Sequence, residues 1–176
     1  MLTEEDTTAV ALTAAALAYL RRIGLRPASA RVLVVGAARM PVLTPVLMGC
    51  GMHEVSMWNQ TDQQWFPLHR AVRDADVVLD LLRSDELGRL APDRPDGSIL
   101  GVGLAHGPSV AAPGMLRALA EQPPGTMGVG IEQYCDCAQA VAVAVATRNR
   151  PWRPPRDPHI SHAVADALRR STGRRR

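Results

Sequence analysis

The clearest signal for the fold lies in the segment Arg31-Val-Leu-Val-Val-Gly-Ala-Ala-Arg-Met-Pro41. After Arg31 it holds four apolar side chains in a row, with no polar residue between them. This pattern is typical of a strand that is covered on both faces of its sheet. Gly36 ends the strand, and a short helix is predicted from Pro41 to Met48, because proline is tolerated in a first helical turn. A strand that passes through a glycine turn into a helix is the start of a βαβ unit.

Helical and extended segments alternate on both sides of this stretch. Thr3-x-x-Asp6 has the spacing of a capping box and Gly24 stands where a glycine ends a helix, which predicts a helix over 4–23 before the first strand at 31–35. Further strands are predicted at 55–58, 76–82, 99–104 and 127–129, and further helices at 67–73, 112–121, 132–147 and 159–170. The fold class is therefore α/β: a three-layer domain with a mostly parallel five-stranded sheet, an N-terminal helix and C-terminal helices.

The charge is concentrated at the end of the chain. All 20 basic residues are arginines and five of them lie in the last eight positions, so residues 1–168 carry 15 arginines against 17 acidic residues. We predict a domain over 1–149, a linker rich in proline and arginine over 150–158, a closing helix over 159–170 and a basic tail over 171–176. The acidic body does not favour nucleic acid as a partner. The absence of lysine excludes Schiff-base chemistry.

Three further features predict a cytoplasmic protein that has no membrane partner. The chain starts with the acidic run Thr3-Glu4-Glu5-Asp6, whereas a signal peptide needs a basic start. The longest apolar runs, 9–20 and 138–146, fall short of the roughly 18–20 residues that span a bilayer. Three cysteines are an odd set without the spacing of a disulfide framework, which favours a reducing compartment.

Residues 8–36 carry a resemblance to a known family. Thr8-Ala9-Val10, an Ala/Leu-rich helix, Gly24 and then Arg31-Val-Leu-Val-Val-Gly36 resemble the start of the NAD(P)-binding Rossmann domain of malic enzymes. Gly128-Val129-Gly130 and the helix after it are similar to the related domain of methylenetetrahydrofolate dehydrogenases. The resemblance implies a Rossmann-like fold and NAD or NADP as ligand. It does not imply malic-enzyme activity, because the lysine, tyrosine and metal-binding carboxylates of that family have no match here.

A cofactor site is expected beyond the carboxyl ends of the strands. Of the fingerprint Gly-x-Gly-x-x-Gly only Gly36 is present, since Ala38 and Pro41 replace the second and third glycines. Ala38 places a methyl group where the backbone would meet the pyrophosphate, and Pro41 removes an amide donor. The predicted cofactor-binding residues are Gly36, Ala38, Arg39, Asn59, Arg83 and His106.

Each side chain in this set has more than one interpretation. Arg39 is either a phosphate donor or a solvated loop arginine. Asn59 stands where the family has an acid for the ribose hydroxyls, so neither NAD nor NADP is selected. His106 is the one candidate for acid–base catalysis, with Asp80 and Arg83 as its expected neighbours, or else a loop histidine bonded to backbone.

No metal site is predicted. Cys135 and Cys137 are two residues apart on a predicted helix, so their thiols point about 200° away from each other. They are interpreted as small buried hydrophobic residues. His159 and His162 are interpreted as part of a polar helix face.

Three functional hypotheses follow. The first is a non-catalytic or weakly nucleotide-binding protein, and the second is a protein-interaction or scaffolding domain that has lost its cofactor. The third is a small oxidoreductase that needs a partner chain. The first predicts an open groove at Gly36, whereas the second predicts that Met40, Pro41 or Trp58 fills it. A homodimer is expected, because the apolar helix over 9–20 needs more cover than one small sheet provides.

Overall fold

The computed structural model describes residues 2–102, 108–121, 129–146 and 158–173. Within these ranges the helices are α1 (Glu4–Arg22), α2 (Leu43–Gly49), α3 (Leu68–Arg73), α4 (Asp85–Leu90), α5 (Pro108–Ala120), α6 (Ile131–Ala146) and α7 (Pro158–Gly173). The strands are β1 (Arg31–Val35), β2 (Glu54–Trp58), β3 (Val77–Asp80) and β4 (Ile99–Gly101).

The four strands form one parallel sheet in the order β2-β1-β3-β4, which confirms the predicted α/β class. Val35, the last residue of β1, is in register with Trp58 of β2 and with Asp80 of β3. The carboxyl ends of these three strands therefore lie side by side. The fifth strand was predicted at 127–129. Residues 127 and 128 lie outside the described residues, and Val129 is not in a strand.

The side chains of β1 alternate between two hydrophobic cores. Val32 and Val34 enter the main core, to which α1, α2, α5, α6 and α7 contribute. Leu33 and Val35 enter a second core on the opposite face, which α3 and α4 cover. Helices thus lie on both faces of the sheet, and the domain has three layers.

Helix α1 lies inside the molecule. Thr3 begins it with the predicted capping box: its Oγ1 accepts from the Asp6 amide at 3.1 Å, while its own amide donates to the Asp6 carboxylate at 2.8 Å. From Thr7 to Leu20 every residue except Ala18 is buried, and α5, α6 and α2 pack around them. Helices of the same chain therefore supply the cover that the sheet alone does not give, and the homodimer stays a prediction.

Several predicted boundaries are corrected. Helix α2 begins at Leu43 and not at Pro41, because a 3-10 turn over Ala37–Arg39 comes first. The helix α4 was not predicted, since Gly88 interrupts its apolar pattern. Helix α7 starts at Pro158 within the predicted linker, whose residues 150–157 lie outside the described residues. It continues to Gly173 in the predicted tail.

Helix α6 is confirmed as a helix despite its strand-like alternation of valine and alanine. Helix α7 packs on both α5 and α6, and its residues Val164, Ala165 and Leu168 belong to the main core. No helix in the described ranges is long and apolar enough to cross a bilayer.

Candidate functional site

The strand order locates a candidate crevice. From β1 the chain moves outward to β2 and then crosses back to β3 on the other side of β1. Parallel α/β sheets bind ligands at such a reversal, outside the carboxyl ends of the two strands. Here the reversal lies between Gly36, which follows β1, and the turn 81–84, which follows β3.

Gly36 is held tightly at this point. Its φ of 83° lies in the left-handed region, and a Cβ atom added to it would lie 2.7 Å from both Cγ and Cδ2 of Leu82. A Leu82 side chain therefore occupies the space over the glycine. The three residues that were expected to fill a closed groove are not among the nearest neighbours of the added Cβ. Met40 is buried in the main core, Trp58 is buried in the second core, and Pro41 is exposed.

The amides of the loop after β1 are already used within the protein. Two of them bond to the end of β2 and the residue after it: the Gly36 amide donates to Trp58 O at 2.6 Å, and the Ala38 amide donates to Asn59 Oδ1 at 3.0 Å. The other two bond within the loop: the Arg39 amide donates to Gly36 O at 2.9 Å, and the Met40 amide donates to Ala37 O at 3.1 Å. In a dinucleotide fold the amides of this loop and of the helix after it hold the pyrophosphate. These four have protein acceptors instead, so they do not form a phosphate cradle.

Asn59 links the end of β2 to this loop. Its side-chain oxygen accepts the Ala38 amide, and its own amide donates to the Asp62 carboxylate at 2.7 Å. One of the two lone pairs that a ribose hydroxyl could use on this oxygen is therefore occupied. The structure gives Asn59 a positioning role in the loop.

Asp80 organises the turn after β3. The residue is 7% exposed, and its carboxylate accepts hydrogen bonds from the amides of Leu82 at 3.0 Å and Ser84 at 2.9 Å. Between them Arg83 has a φ of 55°, the one positive φ of a non-glycine residue in the described ranges. Both carboxylate oxygens of Asp80 thus shape this turn, and its expected proximity to His106 stays a prediction. Backbone strain of this kind is common at functional sites.

Two predicted arginines remain available at the mouth of the crevice. Arg39 and Arg83 are exposed, and neither forms an ion pair with any described residue. Arg39 is three residues after Gly36, and Arg83 directly follows Leu82, so the backbone of each lies close to the Gly36–Leu82 contact. His106 lies in 103–107, outside the described residues.

Arg94 is a structural arginine that sequence reasoning missed. Its guanidinium donates to Val72 O at 2.7 Å and to Ala75 O at 2.6 Å, and burial lowers its pKa. It joins the end of α3 to the start of β3, at the amino edge of the sheet. No local sequence signal marks it, because its acceptors are carbonyl groups about twenty residues away.

The cysteines are buried, as predicted. The hydrogen bond with Cys135, together with burial, raises the pKa of Cys50, and burial raises the pKa of Cys137 to about 12. His159 and His162 are exposed on α7, as expected of a polar face, and His162 Nε2 lies 3.4 Å from Asp166 Oδ2. Among the residues that the structure describes, no three His, Cys, Asp or Glu side chains are grouped to hold a metal ion.

Comparison of the chain with protein-family models, with curated proteins and with solved structures found no match. The likeness to the cofactor domain of malic enzymes therefore stays a prediction.

Proposed function

We propose that the chain is a non-catalytic binding protein whose carboxyl-edge crevice takes a phosphate-bearing nucleotide with low affinity. NAD and NADP are the candidates that the sequence resemblance offers. The observation that carries the proposal is the pair of exposed arginines, Arg39 and Arg83, which stand in the two turns that the Gly36–Leu82 contact joins. A guanidinium group can donate two parallel hydrogen bonds to a phosphate.

We expect low affinity because few hydrogen-bond donors in the crevice remain available to a phosphate. Four amides of the loop have protein acceptors, and α2 has only 7 residues, so we expect side chains to supply most of the contacts. Two charge-assisted contacts of about 1.5–3 kcal/mol each correspond to a dissociation constant of about 1 mM. A Rossmann-like domain that keeps its amide cradle would bind far more tightly.

NMR titration with NAD and with NADP tests the proposal, since the 18.9 kDa chain suits amide spectra. We expect saturable shifts of the amides of residues 37–39 and 82–84, with a dissociation constant of about 1 mM. Arg39→Gln combined with Arg83→Gln should weaken binding at least about tenfold. Arg26→Gln is the matched control, because Arg26 is exposed at the amino edge of the sheet. No shift at about 10 mM nucleotide would refute the proposal.

A second candidate is a protein-interaction domain that has lost its cofactor. Leu82, in contact with Gly36, favours it, because this side chain occupies the space that an open groove would need. This hypothesis predicts no nucleotide shifts in the wild type and none in Leu82→Ala. Binding that appears in Leu82→Ala would show instead that one side chain closes a competent site.

The third hypothesis, an oxidoreductase completed by a partner chain, stays a prediction. It depends on a titratable group beside His106, which lies outside the described residues.

A further inference from the structure

A second cavity lies on α3, apart from the crevice. Its volume is about 460 Å3, and its lining residues are Phe66, His69, Arg70, Arg73 and Asp74. Pockets for small molecules generally measure about 300–1,000 Å3, so this one is large enough for a single small ligand. None of its residues belongs to the set that was predicted from the sequence.

Helix α3 divides its side chains between the core and this cavity. Leu68 and Val72 are buried in the second core. His69, Arg70 and Arg73 are exposed, and residues three or four apart lie on one face of a helix. Neither Arg70 nor Arg73 has an ion-pair partner among the described residues, so two positive charges face the cavity uncompensated except by Asp74.

Two aromatic side chains stand exposed where α3 begins. Trp65 is 81% and Phe66 is 51% exposed, although burial would stabilise both. Their loop is ordered by hydrogen bonds: both amides donate to Asp62 O, at 3.0 and 2.7 Å, and Trp58 Nε1 donates to Phe66 O at 2.8 Å. An exposed aromatic ring on an ordered loop is suited to stacking with a planar ring.

Both ends of α3 are also held in place. The Leu68 amide donates to Gln63 Oε1 at 3.2 Å, and Arg94 donates to Val72 O. The backbone that carries Phe66 and the two arginines is therefore held in place before any ligand arrives. Such preorganisation reduces the entropy that is lost on binding.

We propose that this cavity binds a nucleoside monophosphate. The base would stack on Phe66, the phosphate would accept hydrogen bonds from Arg70 and Arg73, and Asp74 would accept one from a ribose hydroxyl or ring amino group. The nucleotide is free and not part of a nucleic-acid strand, because Asp74 lines the cavity and Glu86 lies 4.0 Å from His69, and these carboxylates would repel further phosphates. This site does not depend on the proposed crevice.

AMP is the probe, and the quenching of Trp65 fluorescence together with the amide shifts of residues 66–74 is the measurement. We expect saturable binding of AMP, with adenosine and inorganic phosphate at least about tenfold weaker, since each lacks one half of the recognised chemistry. Arg70→Gln and Arg73→Gln should each weaken AMP about tenfold, which is the loss of one charge-assisted contact.

The control is Arg26→Gln, which changes an exposed arginine outside both sites and should leave AMP binding at α3 unchanged. The two sites are recognised separately, because α3 reports through the amides of residues 66–74 and the crevice through those of residues 37–39 and 82–84. AMP binding that survives Arg70→Gln combined with Arg73→Gln overturns the proposal. Equal affinity for adenosine overturns the phosphate assignment, and tighter binding of an eight-nucleotide single strand overturns the choice of a free nucleotide.

Discussion

Substitution of Gly36 by alanine tests the contact that closes the crevice. The new Cβ would have two effects. It would force a φ of 83° on a residue with a side chain, and it would lie 2.7 Å from Leu82 Cγ and Cδ2. The left-handed conformation costs about 1–2 kcal/mol for such a residue. Overpacking in a well-filled site adds about 1–3 kcal/mol. We therefore expect Gly36→Ala to lower the free energy of unfolding by about 2–5 kcal/mol.

Gly24 offers a matched control. Its φ is 71°, close to that of Gly36, but a Cβ there would have no neighbour within 4 Å. Gly24→Ala should therefore show the backbone strain alone, about 1–2 kcal/mol. The difference between the two variants measures the steric cost of Leu82.

A double-mutant cycle isolates that cost. Leu82 is half-buried, so Leu82→Ala alone should cost about 1–2 kcal/mol, less than a fully buried leucine. In the double variant the added Cβ has room, and the loss should be about 1–3 kcal/mol smaller than the sum of the two single losses. Urea unfolding followed by far-ultraviolet circular dichroism gives all four free energies.

Two results would refute the reasoning. If the effects of Gly36→Ala and Leu82→Ala add to within about 0.5 kcal/mol, the two residues do not touch. If Gly36→Ala costs no more than Gly24→Ala, strain alone explains the glycine.

Three further predictions concern stability. In α5, Gly114→Ala would press a Cβ onto the backbone carbonyl of Ser161 in α7 and should cost about 1–3 kcal/mol, whereas Gly88→Ala, which has open space in α4, should gain about 0.5–1 kcal/mol. Thermal unfolding should show midpoint shifts of opposite sign, and equal shifts would contradict the helix contact. Asp80→Asn replaces one acceptor oxygen by a donor and leaves a turn amide unpaired, so the urea midpoint should fall by the equivalent of about 1–3 kcal/mol, and an unchanged midpoint would rule out that role. Burial raises the pKa of Cys137 from 9.0 to about 12. The contribution of this neutral thiol to the free energy of unfolding is therefore fully present below pH 9 and is lost as the pH rises toward 12. In Cys137→Ala the free energy of unfolding should fall less between pH 9 and pH 12, as measured from urea midpoints across this range. The same dependence on pH in the variant and the wild type would contradict this prediction.

The sequence predicted the elements whose signals are local. The capping box at Thr3 and Asp6 located the start of α1, and the apolar run after Arg31 located β1. Helix α6 was recovered because its polar beginning and its length outweighed the alternation of valine and alanine. Each of these decisions depends on residues within about one or two helical turns, where spacing is informative.

The features that decide the site are contacts between distant residues, and spacing does not reveal them. Leu82 touches Gly36 from 46 positions away along the chain, and Arg94 reaches Val72 O across 22 positions. The exposed face of α3 could have been found from Trp65-Phe66, followed by arginines three apart. That signal was overlooked because the overall charge of residues 1–168 is negative, and a net charge conceals a local patch.

Gly36 shows why a single surviving glycine is weak support for a cofactor. In the dinucleotide fingerprint the first glycine serves the turn, and the second gives the pyrophosphate access to the backbone. Here the left-handed φ and the contact with Leu82 account for Gly36 completely, and the Ala38 amide bonds to Asn59. The glycine is thus required by the fold whether or not a ligand is present. A phosphate in this crevice must be held by side chains, which is why Arg39 and Arg83 are the residues whose substitution decides the question.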